Sequence, residues 1–158
     1  MMSETRAVAS PVHPIRQNAS FALAKVCRAH RVHVGELLAE HGLHVGQEMV
    51  LVELWQDDGL RGGALAERLG VEHPTITKML RRLEACGLVE RRADPEDARS
   101  LRVYLTGKGR ELRVPVIGCW ERAERTVLAG MNARDRGTFR RLLDRVRSNL
   151  DPEFGAGR

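Results

Sequence analysis

One stretch constrains this chain more than any other. "ALAERLGVEHPTITKMLRRLEACG" holds two short amphipathic segments with only a few residues between them. The first is stopped by Gly70, a residue suited to the left-handed position just past a helix end. The second opens with Pro74 in its first turn, where the missing N–H costs nothing. Ile76, Leu80 and Leu83 then recur at i, i+4 and i+7, one face of a 3.6-residue period, and Gly87 closes the segment. Two short helices joined by so tight a turn are the sequence form of a helix-turn-helix.

The flanks complete a pattern. "LVERR" and "LRVYLT" read as strands on either side of a turn-rich "ADPEDARS". Upstream, residues 1–14 read as a flexible arm. A helix is expected from Ile15 to about residue 41, with Leu23, Val26, Cys27, His30, Val34, Leu37 and Leu38 on its apolar side. A second, from Gln47 to Gln56, is apolar nearly all round and is expected to be buried. Leu60 and Arg61 form a short extended piece. From Gly107 to about Met131 a long helix resumes, with a kink or irregular turn expected near 111–118, because Pro115 removes a backbone donor. A last helix carries Phe139, Leu142, Leu143 and Val146 as its stripe.

Composition narrows the partner. The formal charge is +5 and the sequence pI about 9.7, which favours an anionic partner. Lys25, Lys78 and Lys108 are the only lysines among 26 cations; arginine's planar fork suits phosphates and guanine edges. Aromatics make up only 4% of the chain, too few for a platform that stacks single-stranded bases. No run approaches the ~20 apolar residues that span a bilayer, and "MMSETRAVAS" lacks the apolar core of a signal peptide. A cytoplasmic protein without membrane partners is expected. Three well-separated cysteines give no disulfide framework. No GxSxG, HExxH, P-loop or dinucleotide fingerprint occurs, so neither an enzyme nor a cofactor is expected.

A helix-turn-helix followed by a hairpin is a winged helix. A helix fits the major groove of B-DNA, and an arginine-tipped hairpin reaches the adjacent minor groove. Once Ile76, Leu80 and Leu83 point inward, Thr75, Thr77, Lys78, Arg81 and Arg82 are left outside. Threonine can read base edges, and lysine and arginine can read guanine or grip phosphate. His73 and Pro74 stand at the entry of this helix.

The ordered set LA..LGV, PT.T, L...GLV.R, DPED.R and LT..G, within "LAERLGVEHPTITKMLRRLEACGLVERRADPEDARSLRVYLTGKGREL", resembles the core of the multiple-antibiotic-resistance regulator (MarR) family. The resemblance implies a mainly α fold with a small β-wing: a winged helix-turn-helix with long N- and C-terminal dimerisation helices. It places one MarR-type domain over 15–158, with the DNA-binding lobe at 47–106 and dimerisation helices at 15–41 and 107–150. It implies a homodimer on double-stranded DNA with a near-palindromic operator. The family's wing motif falls on Asp97 and Arg99, with Arg99 entering the minor groove and Asp97 holding its guanidinium. The chain departs from the family at Ala98, where a second arginine is common; Arg91 and Arg92 are candidates to supply that grip.

The resemblance further implies a repressor released by a small aromatic or anionic effector, with His30, Val34, Trp55 and Trp120 as candidate lining residues. Two alternatives are a redox sensor acting through Cys27 and an architectural DNA binder without an effector. No metal site is expected. Cys27, His30, His33 and Glu36 are three residues apart and drift about 60° per step around a helix, so all four cannot face one ion.

Overall fold

The computed structural model describes residues 13–151. Most of the expected N-terminal arm and the last seven residues lie outside it. The described residues up to Cys119 form one compact unit, and those from Trp120 a second.

A 3-10 turn over Pro14–Gln17 opens the first unit, and Asn18 ends it in an extended conformation. The helix expected from Ile15 therefore begins later, as α1 at Ala19–Ala39. Only its C-terminal part is buried, at Val34, Leu37 and Leu38; Val26 and Val32 lie on the surface. α2 spans Gln47–Gln56. It is not buried all round. Val50, Leu51 and Leu54 are in the core, whereas Met49 and Val52 are 40% and 37% exposed. At its start two polar residues are buried instead, because each satisfies a loop amide. Gln47 Oε1 accepts the His44 N–H at 2.8 Å, and Glu48 Oε2 accepts the Gly46 N–H at 2.6 Å. Burial pushes the Glu48 carboxyl above its usual range, opposed by those backbone hydrogen bonds and the charge of Arg31.

β1 (Leu60–Arg61) leads into α3 (Gly62–Leu69), and Gly70 ends α3 at φ 61°. The Val71 N–H reaches back to the Ala66 carbonyl at 3.0 Å, as in a Schellman turn. α4 runs from His73 to Ala85 with Pro74 in its first turn. Ile76, Leu80 and Leu83 are buried as their spacing predicts, with Leu54, Leu65, Leu88, Val89 and Val103 also in the core. Fully burying a leucine or isoleucine side chain stabilises a fold by about 1.5–3 kcal/mol.

β2 (Val89–Asp94) and β3 (Asp97–Leu105) form the hairpin, and β1 pairs antiparallel with β3 on its other side. The eight-residue loop expected at "ADPEDARS" is mostly strand. Only Pro95 and Glu96 lie between β2 and β3, because the Asp94 side chain accepts the Glu96 N–H at 3.0 Å and closes the turn itself.

α5 (Gly107–Glu111) is capped by Thr106, whose hydroxyl accepts the Gly109 N–H and donates to the Gly87 carbonyl at 2.7 Å. The expected irregularity falls at Leu112, between α5 and α6 (Arg113–Val127). Pro115, lacking an N–H, cannot bond the Glu111 carbonyl four residues back. In the second unit, α7 (Ala133–Leu150) starts at a capping box between Asn132 and Asp135. None of its residues is buried; Leu142, Leu143 and Val146 remain 55%, 43% and 37% exposed.

α5 sits hard against the start of the hairpin. A Cβ on Gly109 would lie 2.1 Å from the Leu88 carbonyl oxygen, a backbone atom that cannot swing away. Gly109→Ala should therefore destabilise the fold by about 3 kcal/mol, the upper end of overpacking costs. Gly107→Ala, whose Cβ meets nothing within 4 Å, should be near neutral. Thermal melts of the two variants check the contrast; equal melting temperatures would contradict it.

Candidate nucleic-acid interface

α4 presents one continuous polar face. His73, Pro74, Thr75, Thr77, Lys78, Arg81 and Arg82 are all exposed. The inner stripe fixes this: with Ile76, Leu80 and Leu83 buried, a helix turning 100° per residue must carry the others outward. The Thr77 hydroxyl donates to the His73 carbonyl at 2.8 Å, which leaves its methyl and lone pairs toward solvent. Among the described residues, Lys78, Arg81 and Arg82 have no acidic partner.

The hairpin tip is shaped by a bulge. Ala93 pairs with Leu101, but the next residue, Asp94, pairs with Asp97, so residues 98–100 have no partners on β2. Such an insertion bends a strand and re-aims its side chains. Arg99 sits in the middle of it, exposed, and its guanidinium has no ion-pair partner among the described residues. Asp97 does not hold that guanidinium. Its Oδ1 accepts the Arg99 backbone N–H at 3.0 Å and its Oδ2 accepts the Ser100 hydroxyl at 2.7 Å. These two hydrogen bonds, the Ser100 hydroxyl foremost, keep the Asp97 carboxyl below its usual range. Asp97 thus fixes the backbone of the bulge and leaves the Arg99 side chain free.

Arg91 and Arg92 are engaged with acids. Arg91 is fork-bonded to Glu84 on α4, at 2.6 and 3.1 Å. Arg92 pairs with Glu90 and lies over the Tyr104 ring, 4.9 Å from its centroid. Between α4 and the hairpin is a cleft of about 160 Å³ whose lining includes His73, Thr77, Arg91 and Leu101.

Below the tip lies a cluster that no sequence pattern announces. The Asp94 side chain is fully buried. Besides the Glu96 N–H, it accepts from Arg61 Nε at 2.6 Å, and Arg102 Nε lies 3.0 Å from the same Oδ2. Arg102 reaches on to Glu96 at 3.2 Å and to the Gly59 carbonyl at 3.3 Å. The Glu96 N–H, followed by the two guanidinium groups, lowers the Asp94 pKa to about 2. The Asp-Pro dipeptide is a legible turn signal. No local signal points to Arg61, which is 33 residues away from Asp94.

The candidate effector residues are scattered by role. Val34 is buried core, and His30 is half-buried on the same helix. Trp55 Nε1 donates to the Gly109 carbonyl at 3.0 Å, tying α2 to α5. Trp120 is 37% exposed on α6. Cys27 is exposed on α1, and Cys119 is buried with Sγ 3.4 Å from the Leu37 carbonyl. No group of three or more His, Cys, Asp or Glu among the described residues is placed to hold a metal ion. None of the described helices is long and apolar enough to cross a membrane.

Comparison with known proteins places this geometry. The model of the MarR family matches residues 43–101. The chain is 38% identical over 115 residues to the HTH-type transcriptional regulator TtmR of Methylorubrum extorquens, a match spanning 73% of this chain and 56% of that protein. It is 31% identical over 129 residues to the HTH-type transcriptional repressor Mb2911 of Mycobacterium bovis, covering 82% and 93%. A crystal structure of MarR superposes with a TM-score of 0.75 at 28% identity, covering 92% of this chain and 99% of that one.

The depressed Asp94 pKa sets a sign for acid stability. A carboxyl whose folded pKa lies below its unfolded value contributes stability above the unfolded pKa, near 3.9, and loses it as pH falls toward about 2. Asp94→Asn should flatten the fall in melting temperature between about pH 4 and pH 2. An unchanged slope would mean that Asp94 titrates alike in both states.

Proposed function

The chain belongs to the MarR family of winged-helix transcription regulators, and on that premise we propose that it acts as a homodimeric repressor on near-palindromic double-stranded DNA. In this reading α4 lies in the major groove. Thr75, Thr77 and Lys78 read base edges, and Arg81 and Arg82 grip phosphate, with His73 and Pro74 at the groove entry. Arg99 enters the neighbouring minor groove, where a narrow A·T stretch concentrates negative potential. Asp97 contributes by shaping the bulge beneath Arg99.

The observation that carries the reading is the sorting of cations. Lys78, Arg81, Arg82 and Arg99 are exposed and unpaired among the described residues, whereas Arg61, Arg91, Arg92 and Arg102 are tied to acids. Free cations release counterions when they meet phosphates, and this drives DNA association. The homodimer is supported by the apolar stripe of α7, where Leu142, Leu143 and Val146 face solvent in the single chain. A two-fold pair of subunits matches a two-fold operator. Sedimentation at micromolar concentration should give a dimer; a stable monomer would remove this part of the proposal.

Repression follows the name of the Mycobacterium bovis relative. Release by a small aromatic or anionic effector rests on the family resemblance, with His30, Val34, Trp55 and Trp120 as the residues to vary. Gel shifts with and without small aromatic acids test it. Affinity unchanged by every such compound would leave an architectural DNA binder.

Thr75→Ala and Lys78→Ala should each weaken operator binding by about 1–3 kcal/mol and relax sequence preference. Arg81→Ala should weaken operator and random DNA alike and reduce the salt slope by about 0.9, the share of a single neutralised phosphate. Arg91→Ala should do less, because Arg91 is already held by Glu84. Equal losses on operator and random DNA for Thr75→Ala would show that it is not a reader.

A further inference from the structure

The cluster around Asp94 ties β1, the hairpin turn and β3 together. Arg61 and Arg102 are direct cross-strand partners of β1 and β3. Two like charges facing each other across a ladder destabilise it. Here the Asp94 carboxylate joins both guanidiniums through a single oxygen, at 2.6 and 3.0 Å. Its other oxygen holds the Glu96 N–H and so the turn. One end of the cluster reaches the helix-turn-helix, because Arg61 is the residue that opens α3. The other end reaches the wing tip, because Asp94 pairs with Asp97, which fixes the Arg99 backbone.

We propose that Asp94 is a positioning residue for DNA binding: bridging Arg61 and Arg102, it fixes the bulge that carries Arg99 relative to the first helix of the helix-turn-helix. The inference rests on the reading that α4 and Arg99 contact DNA. Its physical content is that Arg99 meets the minor groove at a set distance and angle from α4 only while the turn is clamped to β1. Without the carboxylate, Arg61 and Arg102 repel across the ladder and the tip moves as one piece. The α4 face is untouched, since none of its outward residues bonds to the cluster.

Charge counting predicts the opposite. Removing an acid near a polyanion should tighten binding, so the sign of the effect is informative. Affinity for one operator duplex is measured at fixed salt for wild type, Asp94→Asn, Arg99→Ala and the double variant, with folding checked by thermal melt. Asp94→Asn should weaken binding roughly tenfold or more, the scale of removing one side chain from a groove. The double variant should bind no worse than Arg99→Ala alone, because Asp94 acts through Arg99. A merely structural role would multiply with the loss from Arg99→Ala; a lower melting temperature is expected in either case, because the buried carboxylate also contributes stability. If Asp94→Asn does not fold, Arg102→Lys replaces it in the same cycle, keeping the charge but losing the fork that spans Asp94 and Glu96. Wild-type affinity or tighter binding in a folded Asp94→Asn chain, or multiplied losses in the double variant, overturns the positioning role. A wild-type chain that fails to bind any duplex overturns the DNA reading itself, and this inference with it.

Discussion

Burial of one stripe on α4 is the constraint from which the rest follows. Ile76, Leu80 and Leu83 are at most 4% exposed, and α4 packs through them against α2, α3 and β2. A helix has a single orientation about its axis that buries positions i, i+4 and i+7 together. That orientation leaves threonine, lysine and arginine on the opposite side, so packing chooses the surface proposed to meet DNA. Replacing one of these core residues with alanine would cost about 2–5 kcal/mol.

Charge is divided just as sharply. The chain carries a formal +5, and the cations around α4 and the hairpin fall into two groups. Some are internal ties: Arg61 and Arg102 clamp the hairpin turn, Arg91 links β2 to α4, and Lys108 Nζ bonds the Cys86 carbonyl at 3.0 Å, at the end of α4. Others stand free on α4 and at the wing tip. The solvent-facing Arg91–Glu84 pair stabilises little and chiefly fixes geometry, whereas the buried Asp94 carboxylate contributes stability as well. In the proposed reading the free cations supply the attraction to DNA.

The elements are largely legible in the sequence because each follows a local rule. Gly70 marks the end of α3, Pro74 the first turn of α4, and the 3.6-residue stripe the inward face. Pro115 marks the break at Leu112. What is not legible depends on distance along the chain. Nothing near Asp94 announces Arg61, and nothing near Glu84 announces that Arg91 is taken. The "ADPEDARS" stretch reads as irregular from its turn residues, whereas hydrogen bonds accepted by Asp94 and Asp97 make it a two-residue turn and a bulge. The family pattern puts Asp97 on the Arg99 guanidinium. It holds the backbone instead, because a short aspartate side chain reaches an amide two residues on more readily than the far end of an arginine. Glu48 is invisible for a similar reason: its burial depends on a loop amide at Gly46, where φ is 102°.

The proposed mechanism requires α4 and the wing of two subunits to meet DNA together in one fixed geometry. Hydroxyl-radical footprinting of the wild-type chain, on a duplex selected from random sequence, tests it most directly. Two equivalent protected patches are expected about one helical turn apart, roughly 34–36 Å between centres. Each patch should be flanked on its outer side by protection of a minor groove. A single asymmetric patch, or protection without flanking minor-groove contacts, would contradict it.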